Sequence, residues 1–219
     1  MKRILILGAS RYYIRTIITA RELGYEVHVA DKNASVPGKE FAHHFAHLNF
    51  SDKELLSDYV LSEGINAIVP LNDYGVFPAA YVCEKAGLPG VGTKAASIAV
   101  NKATLRNHWQ SHHVPNPKYA VVNSILEAEQ AATTIGFPVI IKPAVSMGGA
   151  RGVTYTKTIE QVAKNYLLAK ASFNNNEVLV EAFLNGTEHS SEVIVYEGEP
   201  HIVAIADKVK TPLPIRVDK

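Results

Sequence analysis

Cysteine is almost absent from this chain. Cys83 stands alone among 219 residues, so no disulfide can form within the molecule, and a disulfide-stapled scaffold is excluded. One unpaired thiol suits a reducing compartment, and a cytoplasmic location is the expectation. Long apolar runs are missing too. None approaches the roughly 20 residues that span a bilayer. The opening MKRILILGAS carries a basic pair and an apolar run, but Gly8 ends that run too early for a secretory leader, and a buried first strand is the better account. There is no excess of charge of either sign: 22 basic and 21 acidic residues leave a formal net charge of +1. Bulk attraction to nucleic acid or to an anionic membrane is therefore not expected. No internal repeat or low-complexity tract interrupts the sequence. Apolar residues are plentiful, at 47%, enough for a substantial core in one domain or two.

The first half alternates strand and helix patterns. ILIL at 4–7 and VHVAD at 27–31 read as buried strands. YYIRTIITAREL at 12–23 has helical spacing and stops at Gly24. FAHHFAHLNF at 41–50 holds a short strand near His47 and Leu48. SDKELLSDYVLSE follows as a helix that Ser51 or Asp52 can cap. INAIVP at 65–70 is a further strand, and 74–86 a further helix ending at Gly87. Continuous apolar strands alternating with helices imply a parallel sheet covered on both faces.

The rhythm changes after Pro89 and Gly90. Two helical pieces surround Val100, Asn101 and Lys102, and Pro115 and Pro117 break the chain. KYAVV at 118–122 reads as a strand. The helix from Ser124 has Glu127 in capping-box position and ends at Gly136. Strands follow in FPVIIKP, GVTYT and VLVEAF, with a helix between the last two. EHSSEVIVYEGEPHIVAIADK reads as a hairpin about a turn at Glu197 and Gly198.

Several stretches bear on chemistry. GASRYY at 8–13 follows the first strand, but a dinucleotide loop wants GxGxxG, and this chain has Gly8, Ser10 and Tyr13 at those places. Asp31 stands where such folds put a ribose acid, and a strand-end carboxylate is the plainer reading. Asn72 and Asp73, beyond the fourth strand, suit either a substrate or a turn. Lys102 opens a helix, where a cation gains nothing from the helix dipole unless an anion lies in front. Lys142 closes the apolar VII run, and a lysine inside a buried strand needs a partner. The loop after it, with Ser146, Gly148, Gly149 and Gly152, presents backbone amides with little side-chain obstruction, the makings of an anion nest. An ordinary hairpin would use the same residues, and the P-loop pattern GxxxxGK[ST] is absent. Glu181 ends another apolar strand. Phe183 and Leu184 form an apolar step, Gly186 makes a turn, and Glu188, Ser190 and Glu192 share one face of the next strand. A carboxylate there suits a ribose diol, although any wet sheet face looks the same. His43, His44 and His47 cluster, as do His108, His112 and His113. Neither group has the cysteine-and-acid spacing of a structural zinc site, and both are read as surface histidines.

Taken in order, NK at 101–102, GFPVIIKPAVSMGGARGV at 136–153 and VLVEAFLNGTEHSSEV at 178–193 resemble the ATP-grasp superfamily, in the branch of carbamoyl-phosphate synthetase large chain, biotin carboxylase and the purine-pathway ligases. The resemblance implies an α/β chain: a Rossmann-like parallel-sheet domain over residues 1–92, then α+β ATP-grasp subdomains over 93–219, the last incomplete. It implies ATP as cofactor, with Lys102 and Lys142 at the phosphates, residues 146–152 as a flap that orders over them, Glu181, Phe183 and Leu184 at the adenine, and Glu188 at the ribose. Lys208 matches, loosely, a substrate-side catalytic position. The family's Mg2+ ligands lie beyond the matched stretch, so no metal ligand is expected within these 219 residues. The implied activity is ATP-dependent ligation, in which a small carboxylate becomes an acyl phosphate and an amine or other nucleophile displaces phosphate. Homodimers are a habit of the family. A nucleotide-binding protein without turnover, or one part of a split enzyme, is the alternative. A nicotinamide oxidoreductase is disfavoured by the first loop.

Overall fold

The computed structural model describes residues 1–145, 151–172 and 177–209. The chain divides into two compact units, Met1–His108 and Trp109–Lys219.

The first unit is built on β1 (Arg3–Leu7), β2 (Glu26–Asp31), β3 (His44–His47) and β4 (Ala67–Pro70). They form one sheet in the order β3-β2-β1-β4, and every pairing is parallel. Helices α1 (Ile14–Glu22), α2 (Lys53–Ser62), α3 (Asp73–Ala86) and α4 (Thr93–Val100) belong to this unit, and α5 (Lys102–Ser111) begins in it. Side-chain alternation explains the two cores. Leu5, Leu7, Ala30 and Ala46 turn to one face and meet Leu56 and Val60 of α2 and Ala79, Val82 and Cys83 of α3. Ile6, Val27 and Val29 turn to the other and meet Ile17 and Ala20 of α1. This is the doubly covered parallel sheet that the strand pattern implies.

Local chemistry sets the boundaries. Asp52, not Ser51, caps α2, its carboxylate accepting from the Glu54 and Leu55 amides. Glu54 is thereby released to bind the Tyr81 hydroxyl and the Lys85 ammonium. Asn72 caps α3 through the Gly75 amide at 3.0 Å, and its Nδ2 donates to the Leu7 carbonyl at the end of β1. The third strand lies at His44–His47, slightly earlier than the sequence suggests, because it is the stretch that pairs with His28–Asp31.

In the second unit, β5 (Tyr119–Val122), β6 (Val139–Pro143), β7 (Thr154–Thr156) and β8 (Val178–Ala182) form an antiparallel sheet in the order β5-β8-β6-β7. Helices α6 (Ile125–Ile135) and α7 (Val162–Ala171) cover one face. Val139, Ile141, Val178 and Val180 bury there against Ala128, Ala132, Val162, Tyr166 and Ala169. The capping box of α6 forms as expected: Ser124 accepts the Glu127 amide, and Glu127 reaches back to the Asn123 amide. Strands β9 (His189–Tyr196) and β10 (Glu199–Asp207) make a separate hairpin. Its two-residue turn places Glu197 at φ 51° and Gly198 at φ 84°, the positive pair of a type I′ turn. Among the described residues, no helix is long and apolar enough to cross a membrane.

Candidate functional site

The antiparallel sheet has a second face, opposite α6 and α7. Register places two rows of side chains on it. Tyr119, Glu181, Ile140 and Tyr155 are neighbours across β5, β8, β6 and β7. Val121, Leu179 and Lys142 form the next row. Lys142 and Glu181 are thus diagonal neighbours, and their side chains join in an ion pair with both groups largely buried. The sequence reading gave these two residues separate duties, at phosphate and at adenine. The fold brings them together, and the buried lysine has an internal carboxylate as its partner.

This arrangement has a physical logic. The sheet face around the pair is apolar, with Ile140, Val121 and Leu179 on it, and an unpaired charge in such a place is costly. The pair keeps the lysine ammonium among apolar groups, where its attraction to an anion is screened less than in bulk water. The neighbouring edge is aromatic. Phe183, just past β8, meets Tyr155 edge-on with ring centroids 4.8 Å apart. Its amide donates to the Pro138 carbonyl, which fixes the start of the step. Leu184 is exposed.

The other expected residues fall in three places. Glu188 and Lys208 meet at the base of the hairpin. Their side chains pair at 3.0 Å, and the Lys208 amide donates to the Glu188 carbonyl. Beyond them Ser190 reaches Glu192 on the shared strand face. Lys102 lies in the first unit as the first residue of α5, a helix whose first turn is capped by Asn101 through the Ala103 and Thr104 amides. Ser146, Gly148 and Gly149, with most of the proposed flap, lie outside the described residues. Gly152 is described. It adopts φ +71°, and a Cβ there would stand 2.3 Å from Ser172 Oγ. Packing against the end of α7 is therefore sufficient reason for that glycine.

Tyr155 is the residue the sequence reading missed. It had only been placed in a short extended piece, and its significance comes from its row with Glu181 and its contact with Phe183. The alternation of Thr154, Tyr155 and Thr156 was the available signal, since Thr156 is buried on the helix face and Tyr155 must point the other way.

The first glycine loop is filled by its own chain. Gly8 has φ +105°, and a Cβ there would lie 2.7 Å from the Tyr13 ring. The Ala9 amide donates to Asp31 Oδ2, and the Asn33 amide to Asp31 Oδ1. Asp31 therefore closes two loops.

A magnesium ion takes near-octahedral oxygen ligation. Among the described residues no group of three carboxylate, histidine or cysteine ligands gathers on the face around Lys142, and Glu181 there is already held by the lysine. These residues do not fit a magnesium site, and no step is assigned to the metal.

Comparison with known proteins accounts for this architecture. The family described as the carbamoyl-phosphate synthase L chain, ATP binding domain, matches residues 100–213. The chain is 27% identical over 202 residues to a formate-dependent phosphoribosylglycinamide formyltransferase of Burkholderia pseudomallei, covering 90% of this chain and 50% of the relative. It thus spans about half the length of the curated relatives it matches. Among solved structures, the biotin carboxylase domain of the Hydrogenobacter thermophilus 2-oxoglutarate carboxylase, in complex with MgADP, superposes with a TM-score of 0.82 at 20% identity, over 98% of this chain and 52% of that one. The Staphylococcus aureus N5-carboxyaminoimidazole synthetase, complexed with ADP, gives 0.81 at 20% identity, over 96% and 55%. These likenesses establish the fold expected from the resemblance. Because the family match extends over more than half of its length, the chain belongs to the carbamoyl-phosphate synthase L chain ATP-binding domain family.

Proposed function

We propose that this chain binds ATP on the β5-β8-β6-β7 sheet and serves an ATP-dependent ligase that converts a small carboxylate into an acyl phosphate for attack by an amine or another nucleophile. The observation that carries the reading is Lys142, an ammonium largely buried on an apolar sheet face and held by Glu181. Family membership supports it, as does the formate dependence of a relative. In this reading Lys142 supplies positive charge to phosphate oxygens. Glu181 and the Phe183–Leu184 step meet the base, and Glu188 accepts from the ribose hydroxyls. The resemblance also assigns Lys102 and residues 146–152 to the phosphates. Lys208, paired with Glu188, keeps its loose assignment to the substrate side. Bound ATP supplies the phosphoryl group. The protein's part is to hold it dry and to neutralise the charge that develops on it. Magnesium accompanies the nucleotide, held by groups other than those described on this face.

Calorimetric titration of the purified chain with ATP and with ADP, with and without magnesium, tests the proposal. Saturable one-to-one binding that weakens in Lys142→Met is the expected result. A folded protein that takes up neither nucleotide at millimolar concentration would refute it. Formate and bicarbonate, each added with ATP, then test the acceptor class through release of ADP.

A further inference from the structure

We infer that Glu26, His28 and His44 form a binding site for a zinc-type divalent transition metal ion, at the N-terminal end of the parallel sheet. The register assembles it. His28 of β2 lies directly beside His44 of β3, and Glu26 lies two residues before His28 on the same face. One ligand atom from each residue, a ring nitrogen of each histidine and a carboxylate oxygen, falls within 4.8 Å of the others. Glu26 Oε1 is 2.8 Å from His44 Nε2 and 3.9 Å from His28 Nε2. Zinc–nitrogen and zinc–oxygen bonds of about 2.0–2.2 Å place tetrahedral ligands ~3.4 Å apart. Loading the site needs the two stacked rings to turn so that their nitrogens converge, and His44 Nε2 to exchange its hydrogen bond with Glu26 for the ion.

The independent observation is His28 itself. Its ring is almost fully buried, at 1% exposure, yet Nε2 has no hydrogen-bond partner. A buried polar atom left unpaired is costly. The other ring nitrogen, Nδ1, is 2.8 Å from the Tyr59 hydroxyl. With Nδ1–H donating to that hydroxyl, Nε2 carries a bare lone pair 3.9 Å from Glu26 Oε1. Metal-ligating histidines are oriented in this way, by a second partner on the far nitrogen. The two imidazoles stack, with centroids 4.3 Å apart. Glu26 is held on its other side. Arg3 Nε donates to Oε2 at 2.9 Å and Nη1 to the Glu63 carbonyl, while Oε1 is hydrogen-bonded to His44 Nε2 at 2.8 Å, a contact the ion would replace. The Arg3 charge opposes a cation, and Glu63 lies close enough to influence His28 in the opposite sense. His44 is half-exposed, so water can reach the ion and complete its coordination.

The test uses the full chain without a histidine tag, titrated with zinc chloride against a chromophoric chelator and with cobalt chloride followed by visible absorption. One zinc per chain in the micromolar range is expected. Cobalt should give the intense d–d bands of a four-coordinate nitrogen and oxygen site. His44→Ala removes an accessible ligand without touching the core, and should weaken zinc binding at least ~100-fold, the upper end of the loss seen for mere outer-sphere partners. Glu26→Gln should weaken it in the same direction. His47→Ala, three residues along, should leave it unchanged. Absence of one-to-one zinc binding in the unmodified chain overturns the assignment. So does binding that survives His44→Ala, or that is lost equally in His47→Ala.

Discussion

Lys142→Met tests the most consequential contact in the second unit. Methionine keeps most of the apolar stem and removes the ammonium. The carboxylate it abandons belongs to Glu181, at 7% exposure on a sheet face lined by Ile140, Val121 and Leu179. Removing one partner of a buried ion pair costs roughly 3–5 kcal/mol, because the remaining charge is stranded. At about 2–4 °C per kcal/mol for a chain of this length, melting should fall by about 6–20 °C. Glu181→Gln on the same background removes the stranded charge and should recover most of that loss, since replacing both members of such a pair is often nearly neutral. ATP binding must behave differently. If Lys142 also meets a phosphate, a contact worth roughly 1.5–3 kcal/mol disappears, so the dissociation constant rises by about 10- to 150-fold. The second substitution cannot restore it. Thermal melting and nucleotide titration of the two variants and the parent therefore form one decisive set. A single variant that melts with the parent would refute the buried-pair argument. A double variant whose nucleotide affinity returns with its stability would refute the phosphate role.

Three further outcomes follow from local geometry. Asn72→Ala removes both the α3 cap and the donor to the Leu7 carbonyl, and should cost about 1–3 kcal/mol in urea unfolding. Gly38→Ala drives a methyl to 2.5 Å from the Ala9 carbonyl oxygen and 3.0 Å from Ile17; a loss of about 1–3 kcal/mol is expected, and an unchanged midpoint would contradict the close approach. His28 is held below its ordinary range by burial and then by His44. Its folded value lies under the unfolded value of about 6.5, so the unfolded chain takes the proton first and stability falls as the pH drops below about 6.5. A melting series from about pH 8 to about pH 5 should show that slope, flattened in His28→Asn. Glu26 and Glu54 are held low by their partners and act further down, below about pH 4.5.

The parallel sheet was legible because its strands are buried on both faces and stand as plain apolar blocks. ILIL and VHVAD could hardly be anything else. The hairpin was legible because the turn at Glu197 and Gly198 between two apolar strands is short, and the glycine readily takes the positive φ that such a turn requires. The Lys142–Glu181 pair was not legible, although both residues were singled out. They lie 39 positions apart, and their meeting depends on the antiparallel register of β6 on β8, which no local spacing encodes. The same holds for Glu26, His28 and His44. Histidines 43, 44 and 47 attract attention as neighbours in sequence, yet only His44 joins the cluster, and its companions arrive from the adjacent strand. Ser51 and Asp52 were equivalent as caps on paper. Asp52 does the capping, and Glu54, which a box with Ser51 would have needed, binds Tyr81 and Lys85 on α3 instead.

The hairpin β9–β10 bears on self-association. Val193, Ile194, Val195 and Tyr196 are all exposed, as are Ile202, Val203 and Ile205, so apolar side chains lie on both faces of a two-stranded ribbon. Such windows, β-branched and free of charge, are the kind that pair with copies of themselves. Acidic residues bracket them: Glu192 precedes the first, Glu197 and Glu199 stand between them, and Asp207 follows the second. Mutual repulsion of these carboxylates opposes strand-on-strand stacking. Salt screens that repulsion and acid removes it. Concentrated stocks should therefore remain clear at neutral pH and low ionic strength, and cloud as either condition is relaxed.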